Sequence, residues 1–198
     1  MNMNETQSGT LFIVDNSEEG WKGLNYLREW TEDASSMDIA TGYFEIGSLL
    51  ALDGYWQKLD KIRILMGDET TQRTRRLILK AHKEIMDEKL DNSFNDEREI
   101  SPFLTGTDAI EKAIKSGQIE VRIYDKNKFH AKTYITHARK AVIGSQALVG
   151  SSNFTRPGLS QNIELNIKVE SSSEVQQLQN WFDKYWKLGH DINDSVLH

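Results

Sequence analysis

Short apolar segments alternate with amphipathic helical segments along the first half of the chain. Three of the apolar segments, residues 11–15, 37–44 and 61–66, have the length and composition of β-strands. The segments between them place apolar residues at helical spacing, and Ser17 is suited to cap the first helix, which is expected to run to about residue 31. A strand, a helix and a second strand in succession form a βαβ unit with parallel strands. The pattern therefore predicts an α/β fold with a mixed, mostly parallel sheet flanked by helices.

The rest of the chain continues this pattern and closes with an aromatic-rich helix. Helices are predicted over residues 70–89, 108–116 and 174–188, and strands over residues 119–124 and 162–170. The closing helix carries two aromatic pairs at residues 181–182 and 185–186, most simply a core stripe but also suited to a partner subunit or a following domain. Residues 91–102 are polar and lack periodicity, so we expect a mobile loop there.

The composition is that of one globular domain. The chain has 198 residues, 38% hydrophobic and 27% charged, which suits a single α/β domain over residues 10–188 with flexible termini at 1–9 and 189–198. It has no cysteine, no apolar run near the roughly 20 residues of a membrane helix, and a polar start unlike a signal peptide. We therefore expect a cytoplasmic protein without a membrane partner. The histidines are scattered and no His, Asp or Glu cluster has ligand spacing, so neither a metal nor a cofactor is expected.

The net charge of the chain limits the kinds of nucleic-acid binding that we expect of it. A net charge of −6 argues against a protein that coats DNA, because such binding depends on neutralising phosphates. A nuclease needs only local positive charge in a groove. Basic residues cluster on the helix predicted over 70–89: Arg73, Arg75, Arg76, Lys80 and Lys83. A solvated helix face is the simpler interpretation, and the rim of a nucleic-acid groove is the alternative.

Five residues in the second half of the chain form a set with recognisable chemistry: His130, Lys132, Ser151, Asn153 and Glu164. His130 and Lys132 stand two residues apart in a predicted strand, so their side chains share one face. An imidazole can attack phosphorus while an ammonium and a carboxamide bind the nonbridging oxygens, and a carboxylate can orient the imidazole. Ser151 can hydrogen-bond the phosphate or a neighbour. The set could thus cleave a phosphodiester without a metal.

The glycine before the second motif has its own interpretation. Gly150 would let backbone or substrate approach closely, although a plain turn would use glycine equally well. A similar segment just upstream, residues 144–147 with the sequence GSQA, has Ala147 where the asparagine belongs. We therefore reject this upstream segment as part of the site.

The spacing of these motifs resembles that of the phospholipase D superfamily. That family pattern is His-x-Lys, then Gly-Ser-x-Asn, then a Glu eleven residues after the Asn, which is the interval from Asn153 to Glu164. The resemblance implies a phospholipase D-like fold and a phosphodiesterase whose nucleophile, His130, forms a covalent phosphohistidine. It implies that Glu164 holds the second nitrogen of His130.

The chain departs from the family pattern in two ways. The longer family signature often has an Asp five residues after the Lys, where this chain has His137, expected in an exposed hairpin turn. The resemblance also implies a relay of two histidines, one attacking and one protonating the leaving oxygen, whereas this chain has one His-x-Lys motif. A complete site would then need a homodimer with both copies of His130 facing each other across a twofold axis. The missing Asp weighs more against a lipid-cleaving enzyme than against a nuclease.

The N-terminal half, over residues 12–76, carries a narrower resemblance. The segments FIVDNSEEGWKGLNYL, MDIATGYFEIGSLLAL and KIRILMGDETTQRTRR look like the phospholipase D-like module at the N-terminus of large bacterial helicases of the SNF2 or DEAD/DEAH type. No Walker A sequence occurs, so this chain is not itself the ATP-driven motor. A helicase motor following the module is one implied partner, and a free-standing protein is the alternative.

Three functions remain open at this point. The first is a metal-independent nuclease that acts on DNA as a homodimer. The second is a non-catalytic module that uses the phosphate pocket to hold nucleic acid, although binding alone would not need a paired His and Glu. The third is a phospholipid phosphodiesterase, which is disfavoured because no apolar membrane-facing segment is present.

Overall fold

The computed structural model describes residues 12–19, 22–88 and 102–192, and these ranges contain an eight-stranded sheet and six α-helices. The strands are β1 (Ile13–Val14), β2 (Ala34–Phe44), β3 (Lys61–Thr70), β4 (Ile119–Ile123), β5 (Thr133–Ala138), β6 (Gln146–Gly150), β7 (Asn166–Val169) and β8 (His190–Asp191). The helices are α1 (Gly23–Asp33), α2 (Ile46–Ala51), α3 (Gln72–Glu88), α4 (Pro102–Lys115), α5 (Arg156–Ser160) and α6 (Ser172–Leu188). A short 3₁₀ turn covers Trp56–Lys58.

The strand order is β1-β7-β6-β5-β2-β3-β4-β8. Only the pairs β2–β3 and β3–β4 are parallel, and all the other neighbouring pairs are antiparallel. The predicted α/β fold with a mixed sheet is confirmed, but the prediction that the sheet is mostly parallel is wrong. A parallel connection needs a crossover of a dozen or more residues, whereas β5 and β6 are joined only by residues 139–145, with Gly144 at φ 78°.

The sheet separates two apolar clusters, because successive strand residues point to opposite faces. On one face, α1 to α5 contribute to a large cluster that includes Met37 and Ile39 of β2. On the other face, α6 covers a smaller cluster that includes Ala40 of β2. Tyr134 and Ile135 of β5 divide between the two clusters in the same way. The result is a sheet between two helical layers.

The first helix begins later than predicted. It starts at Gly23, and Ser17 does not cap it because the Ser17 hydroxyl donates to Asp15 Oδ1 at 2.7 Å. Asn16 satisfies the helix start instead, since its Oδ1 accepts from Gly23 N at 2.9 Å. Asn16 adopts φ 65°, a left-handed conformation that asparagine tolerates better than most residues.

The last part of the described chain belongs to the domain. Strand β8 pairs with β4, and Ile192 is buried in the larger cluster. The prediction that residues 189–198 form a flexible terminus is therefore wrong for 189–192. Residues 1–9, residues 193–198 and residues 91–101 of the predicted loop lie outside the described residues. Pro102, the last residue of that predicted loop, begins α4 instead. None of the described helices is long and apolar enough to cross a membrane.

The aromatic residues of α6 are core residues. Phe182 and Trp186 are buried, and Trp181 stacks on Phe129 with ring centroids 6.2 Å apart. Tyr185 meets Tyr124 edge-on at 5.5 Å. This packing confirms the simpler interpretation of the stripe, and it fixes the segment that leads into His130.

A polar network crosses the sheet under α6. Asp38 is 2% exposed and accepts two hydrogen bonds from Arg63, both at 2.6 Å, and one contact from His137 Nε2 at 3.0 Å. Arg63 also donates to Asp183 of α6 at 2.9 Å. The predicted exposed turn at His137 is therefore wrong: His137 lies in β5 and is half-buried because Asp38 on the neighbouring strand pairs with it.

The Asp38 network should contribute measurably to stability. Burial raises the pKa of Asp38, but hydrogen bonds and charges from His137 and Arg63 outweigh it and bring this pKa below its ordinary value. We expect Asp38→Asn to lower the free energy of unfolding by about 3 kcal/mol at pH 7. Because the folded pKa is the lower one, the deficit should shrink as the pH falls below about 4.

The matched control is Asp60→Asn, which removes an exposed carboxylate that pairs with Arg139 at 3.0 Å. That change should cost less than about 1 kcal/mol. Urea unfolding of the three proteins measures both effects. Equal losses in the two variants would contradict the stabilising role given to the Asp38 network.

Candidate functional site

The antiparallel ladder of β5, β6 and β7 brings the three motif segments to one end of the sheet. β5 begins where β6 ends, with Thr133 opposite Val149 and the Gly150 amide donating to the Lys132 carbonyl at 3.2 Å. β6 in turn pairs with β7, and the Ser151 amide donates to the Leu165 carbonyl at 3.1 Å. The segments that carry His130–Lys132, Ser151–Asn153 and Glu164 are therefore neighbours in space.

His130 and Lys132 lie in the extended segment directly before β5 rather than within the strand. His130 is exposed at the surface, whereas Lys132 is only 7% exposed. Ala131 packs against the cluster under α6, so the alternation of side chains still holds in this segment. The imidazole is thus accessible to a large substrate, and the lysine approaches the site from within the protein.

The ammonium of Lys132 is held beside the His130 main chain. Its Nζ donates to the His130 carbonyl at 3.0 Å. Burial lowers the pKa of Lys132, and the nearby charge of Glu164 opposes that decrease. A partly desolvated cation interacts strongly with an anion that replaces the missing water, which is the property a phosphate site needs.

Glu164 contacts Ser151 and not the imidazole. A carboxylate oxygen of Glu164 accepts a short hydrogen bond from the Ser151 hydroxyl, and this hydroxyl accepts from Leu165 N at 2.9 Å. Within the described residues no hydrogen bond joins Glu164 to His130, so the direct pair predicted from the sequence is not formed in this structure. The reason is local: the Ser151 hydroxyl occupies one carboxylate oxygen and holds the side chain near Lys132.

Asn153 is oriented by the end of β2. Its Oδ1 accepts from the Tyr43 amide at 3.2 Å, which leaves the carboxamide NH₂ as a donor for a ligand. The Thr41 hydroxyl accepts from Phe154 N at 2.9 Å, and Phe154 stacks on Phe44 at 5.5 Å. The loop after β6 is therefore fastened to β2 at Asn153 and at Phe154.

Gly150 is required by a close approach of two strands. A Cβ at this position would lie 2.1 Å from the Leu165 carbonyl oxygen and 2.5 Å from the Asn166 Cα. This geometry confirms that the close approach of another backbone segment, rather than a plain turn, requires glycine at position 150. The segment at residues 144–147, which we rejected, begins in the turn at the other end of β6.

Asn166 is a positioning residue that sequence reasoning missed. It is 1% exposed, accepts from Ser152 N at 3.2 Å, and donates to the Ser152 hydroxyl at 2.9 Å and to the Val14 carbonyl at 3.0 Å. The signal in the sequence that could have identified Asn166 is a polar residue at a position where the alternation of the strand predicts a buried side chain.

An open cleft of about 270 Å³ adjoins His130 and Asn153. Its other lining residues are Gly42, Tyr43, Asp68, Glu69, Lys128 and Phe129. None of the basic residues of α3 that the structure describes is among them, and Lys80 pairs with Glu111 at 2.9 Å. The suggestion that Arg73 or Arg76 rims this cleft is therefore not supported.

Comparison with known proteins identifies the family. The family model described as "Cardiolipin synthase, PLD-like domain" matches residues 31–186. The chain therefore belongs to this phospholipase D-like family, as its motifs predicted. A comparison with curated proteins found no match.

Solved structures share the fold. Nuc from Salmonella typhimurium, described as a phospholipase D family member, matches with a TM-score of 0.54 and 16% identity over 92% of this chain and 97% of that one. NucT from Helicobacter pylori matches with a TM-score of 0.51 and 15% identity over 86% and 91%. The archaeal chromatin protein TrmBL2 has a TM-score of 0.51 and 14% identity; the match covers 96% of this chain and 57% of TrmBL2.

The environment of Lys132 can be measured directly. We expect an NMR titration of its Cε and Nζ to give a pKa below the ordinary value of about 10.4, because burial disfavours the charged form. Glu164→Gln should lower this pKa further, since it removes the charge that opposes burial. Glu170→Gln, which removes a carboxylate next to Lys168, is the control and should leave Lys132 unchanged. An ordinary pKa, or no response to Glu164→Gln, would contradict this description.

Proposed function

We propose that this protein is a metal-independent phosphodiesterase that cleaves DNA through a covalent phosphohistidine at His130. The observation that carries the proposal is the meeting of an exposed imidazole, a buried ammonium and an oriented carboxamide at one end of the sheet, in a member of the phospholipase D-like family. Lys132 and Asn153 would bind the nonbridging phosphate oxygens.

The reaction takes two steps. In the first, a ring nitrogen of His130 forms a bond to phosphorus, the bond from phosphorus to the leaving sugar oxygen breaks, and a second imidazole gives that oxygen its proton. In the second, water gives a proton to the second imidazole and attacks phosphorus, and the nitrogen–phosphorus bond breaks. Lys132 stabilises the additional negative charge in both steps.

The proposed role of Glu164 follows from its neighbours. Its charge favours the protonated form of Lys132, and its hydrogen bond fixes the Ser151 hydroxyl at the edge of the site. The orientation of His130 by Glu164 stays a prediction, which would require the carboxylate to exchange Ser151 for the imidazole when substrate binds.

A non-catalytic DNA-binding function is the second candidate. It is favoured by the similarity to TrmBL2, whose description reports a mode of DNA binding. It does not account for an exposed histidine beside a buried lysine, since binding a phosphate needs only the cation. We further propose, from the resemblance of the N-terminal half, that the domain works with a helicase motor.

The nuclease activity should survive chelation. We expect single- or double-stranded DNA to be cleaved in EDTA, because Lys132 and Asn153 supply the positive potential that metal ions supply in other nucleases. His130→Ala should reduce the rate by at least about 100-fold. His190→Ala, which changes another partly exposed histidine, should remain active. Cleavage that stops in EDTA and returns with Mg²⁺ would refute the mechanism, and DNA binding without cleavage would favour the second candidate.

We also propose a homodimer with a shared site, because the relay resembles one that uses two His-x-Lys motifs and the sequence of one copy has a single such motif. The aromatic residues of α6 were one candidate for the interface, but they pack on Phe129 and Tyr124. An alternative surface lies beside the site, where Ile13, Ile163 and Leu165 are 45%, 75% and 63% exposed. We call these three residues the β7-edge patch.

The β7-edge patch is continuous with the motif segments. Ile13 stands opposite Ile167 in the ladder, and Leu165 precedes Ile167 by two residues, so their side chains share one face. Leu165 also hydrogen-bonds Ser151 through its backbone. A second copy seated on this patch would bury exposed apolar surface while it approaches the site.

The dimer can be tested by disrupting this patch. We expect sedimentation to report a dimer, twice the 22.7 kDa of the chain, and Leu165→Asp to give a monomer whose cleavage rate falls by at least about 100-fold, the usual loss when a general acid is removed. The control is Val142→Asp, in the turn between β5 and β6, where the side chain is 91% exposed. This variant should stay dimeric and active. A fully active monomer would exclude the shared site.

A further inference from the structure

The cleft beside His130 contains groups that a phosphate site alone does not need. Tyr43 is half-buried in its wall, Asp68 is half-buried, and Glu69 is exposed. Within the described part of the chain, neither carboxylate has an ion-pair or hydrogen-bond partner. Two unpaired carboxylates next to a site that attracts anions require an explanation, because they oppose phosphate binding.

The backbone directs these groups into the cleft. Between β2 and β3 the pairing changes from Thr41 opposite Met66 to Tyr43 opposite Glu69, so β3 contains one extra residue and forms a bulge. Tyr43 and Glu69 are directly paired and therefore share one face. Such bulges re-aim side chains next to active sites, and Asp68 lies within this one.

Two glycines allow the bulge to sit against the catalytic segment. A Cβ on Gly67 would lie 2.8 Å from the Gly42 carbonyl oxygen, and a Cβ on Gly42 would lie 3.1 Å from the Phe129 carbonyl oxygen and 3.3 Å from the His130 Cα. The floor of the cleft is thus bare backbone pressed against His130. Larger side chains here would fill the space next to the imidazole.

The groups around the cleft match the parts of a nucleotide. Tyr43 offers an aromatic ring for stacking, the two carboxylates offer acceptors, and the exposed Lys128 offers a cation to a neighbouring phosphate. A carboxylate cannot accept a hydrogen bond from a phosphodiester, which has no proton to donate. It can accept hydrogen bonds from the N–H groups on the edge of a base. Burial and the charges of Glu45 and Glu69 raise the pKa of the Tyr43 phenol, so this ring stays neutral near pH 7.

We propose that this cleft binds one unpaired nucleobase next to the scissile phosphate, with Tyr43 stacking on the base and Asp68 and Glu69 accepting from its edge. Guanine fits best, because its ring N–H and exocyclic amine are adjacent donors that one carboxylate can accept together, whereas thymine has a single ring N–H. The inference rests on the proposed phosphodiesterase function and specifies its substrate as single-stranded DNA. A base inside a duplex would have these donors paired already.

The experiment compares single-stranded thymine oligonucleotides that carry one guanine, hypoxanthine or additional thymine at a fixed position. We expect cleavage beside guanine to be at least about fivefold faster than beside thymine, the lower limit for a good two-donor contact. Hypoxanthine, which lacks the exocyclic amine, should fall between them. Asp68→Asn and Glu69→Gln, singly and together, should bring the guanine-to-thymine ratio toward one. Asp60→Asn, an exposed carboxylate that pairs with Arg139, should keep the wild-type ratio.

A second measurement separates this inference from the function on which it rests. Fluorescence anisotropy of the same oligonucleotides with His130→Ala reports base preference without cleavage. Cleavage at equal rates beside all bases, or a preference that survives both carboxylate changes, would overturn the nucleobase site and leave the phosphodiesterase standing. Guanine-dependent binding that is lost with Asp68→Asn, in a protein that cleaves nothing, would support the site and refute the phosphodiesterase. Neither binding nor cleavage would refute both.

Discussion

The close packing of β6 on β7 at Gly150 determines the geometry of the site. Because glycine has no side chain, the Leu165–Asn166 backbone approaches to distances at which no Cβ would fit. This approach lets Asn166 reach both Ser152 and Val14, and it lets the Ser151 hydroxyl meet Glu164. The second and third motif segments are thereby held to each other by main-chain and buried polar contacts, which are less mobile than contacts between surface side chains.

The first motif segment is held from the other face of the sheet. Phe129 precedes His130 and packs on Trp181 and Tyr124 under α6, while Lys132 turns to the opposite side. The imidazole therefore stands at the surface between two well-packed neighbours. An exposed catalytic group gains precision in this way, because the backbone on both sides is fixed although the side chain itself has few contacts.

The sequence predicted those features that depend on local spacing. The parallel part, β2 to β4, follows from apolar runs separated by helical segments, and the convergence of His130 with Asn153 follows from a family pattern. The antiparallel half was not foreseen, because strand direction depends on how connections fold. The contact of His137 with Asp38 joins residues 99 positions apart, and no local pattern indicates such a pair. Glu164 contacts Ser151 rather than His130. Which of the two it contacts depends on side-chain rotamers, which spacing does not specify.

The charge of the protein bears on how substrate would be held. With a net charge of −6, the protein's electrostatic field repels DNA at long range. At physiological salt, however, charges separated by more than about 8 Å are largely screened from each other. Lys132 is buried and therefore much less screened, so attraction to phosphate would act at short range on a single group. This buried cation and the exposed Lys128 hold a strand weakly, and phosphate contacts carry no information about the base. Stacking on Tyr43 and hydrogen bonds to Asp68 would supply affinity that salt does not remove, and they would do so only for a strand whose bases are free.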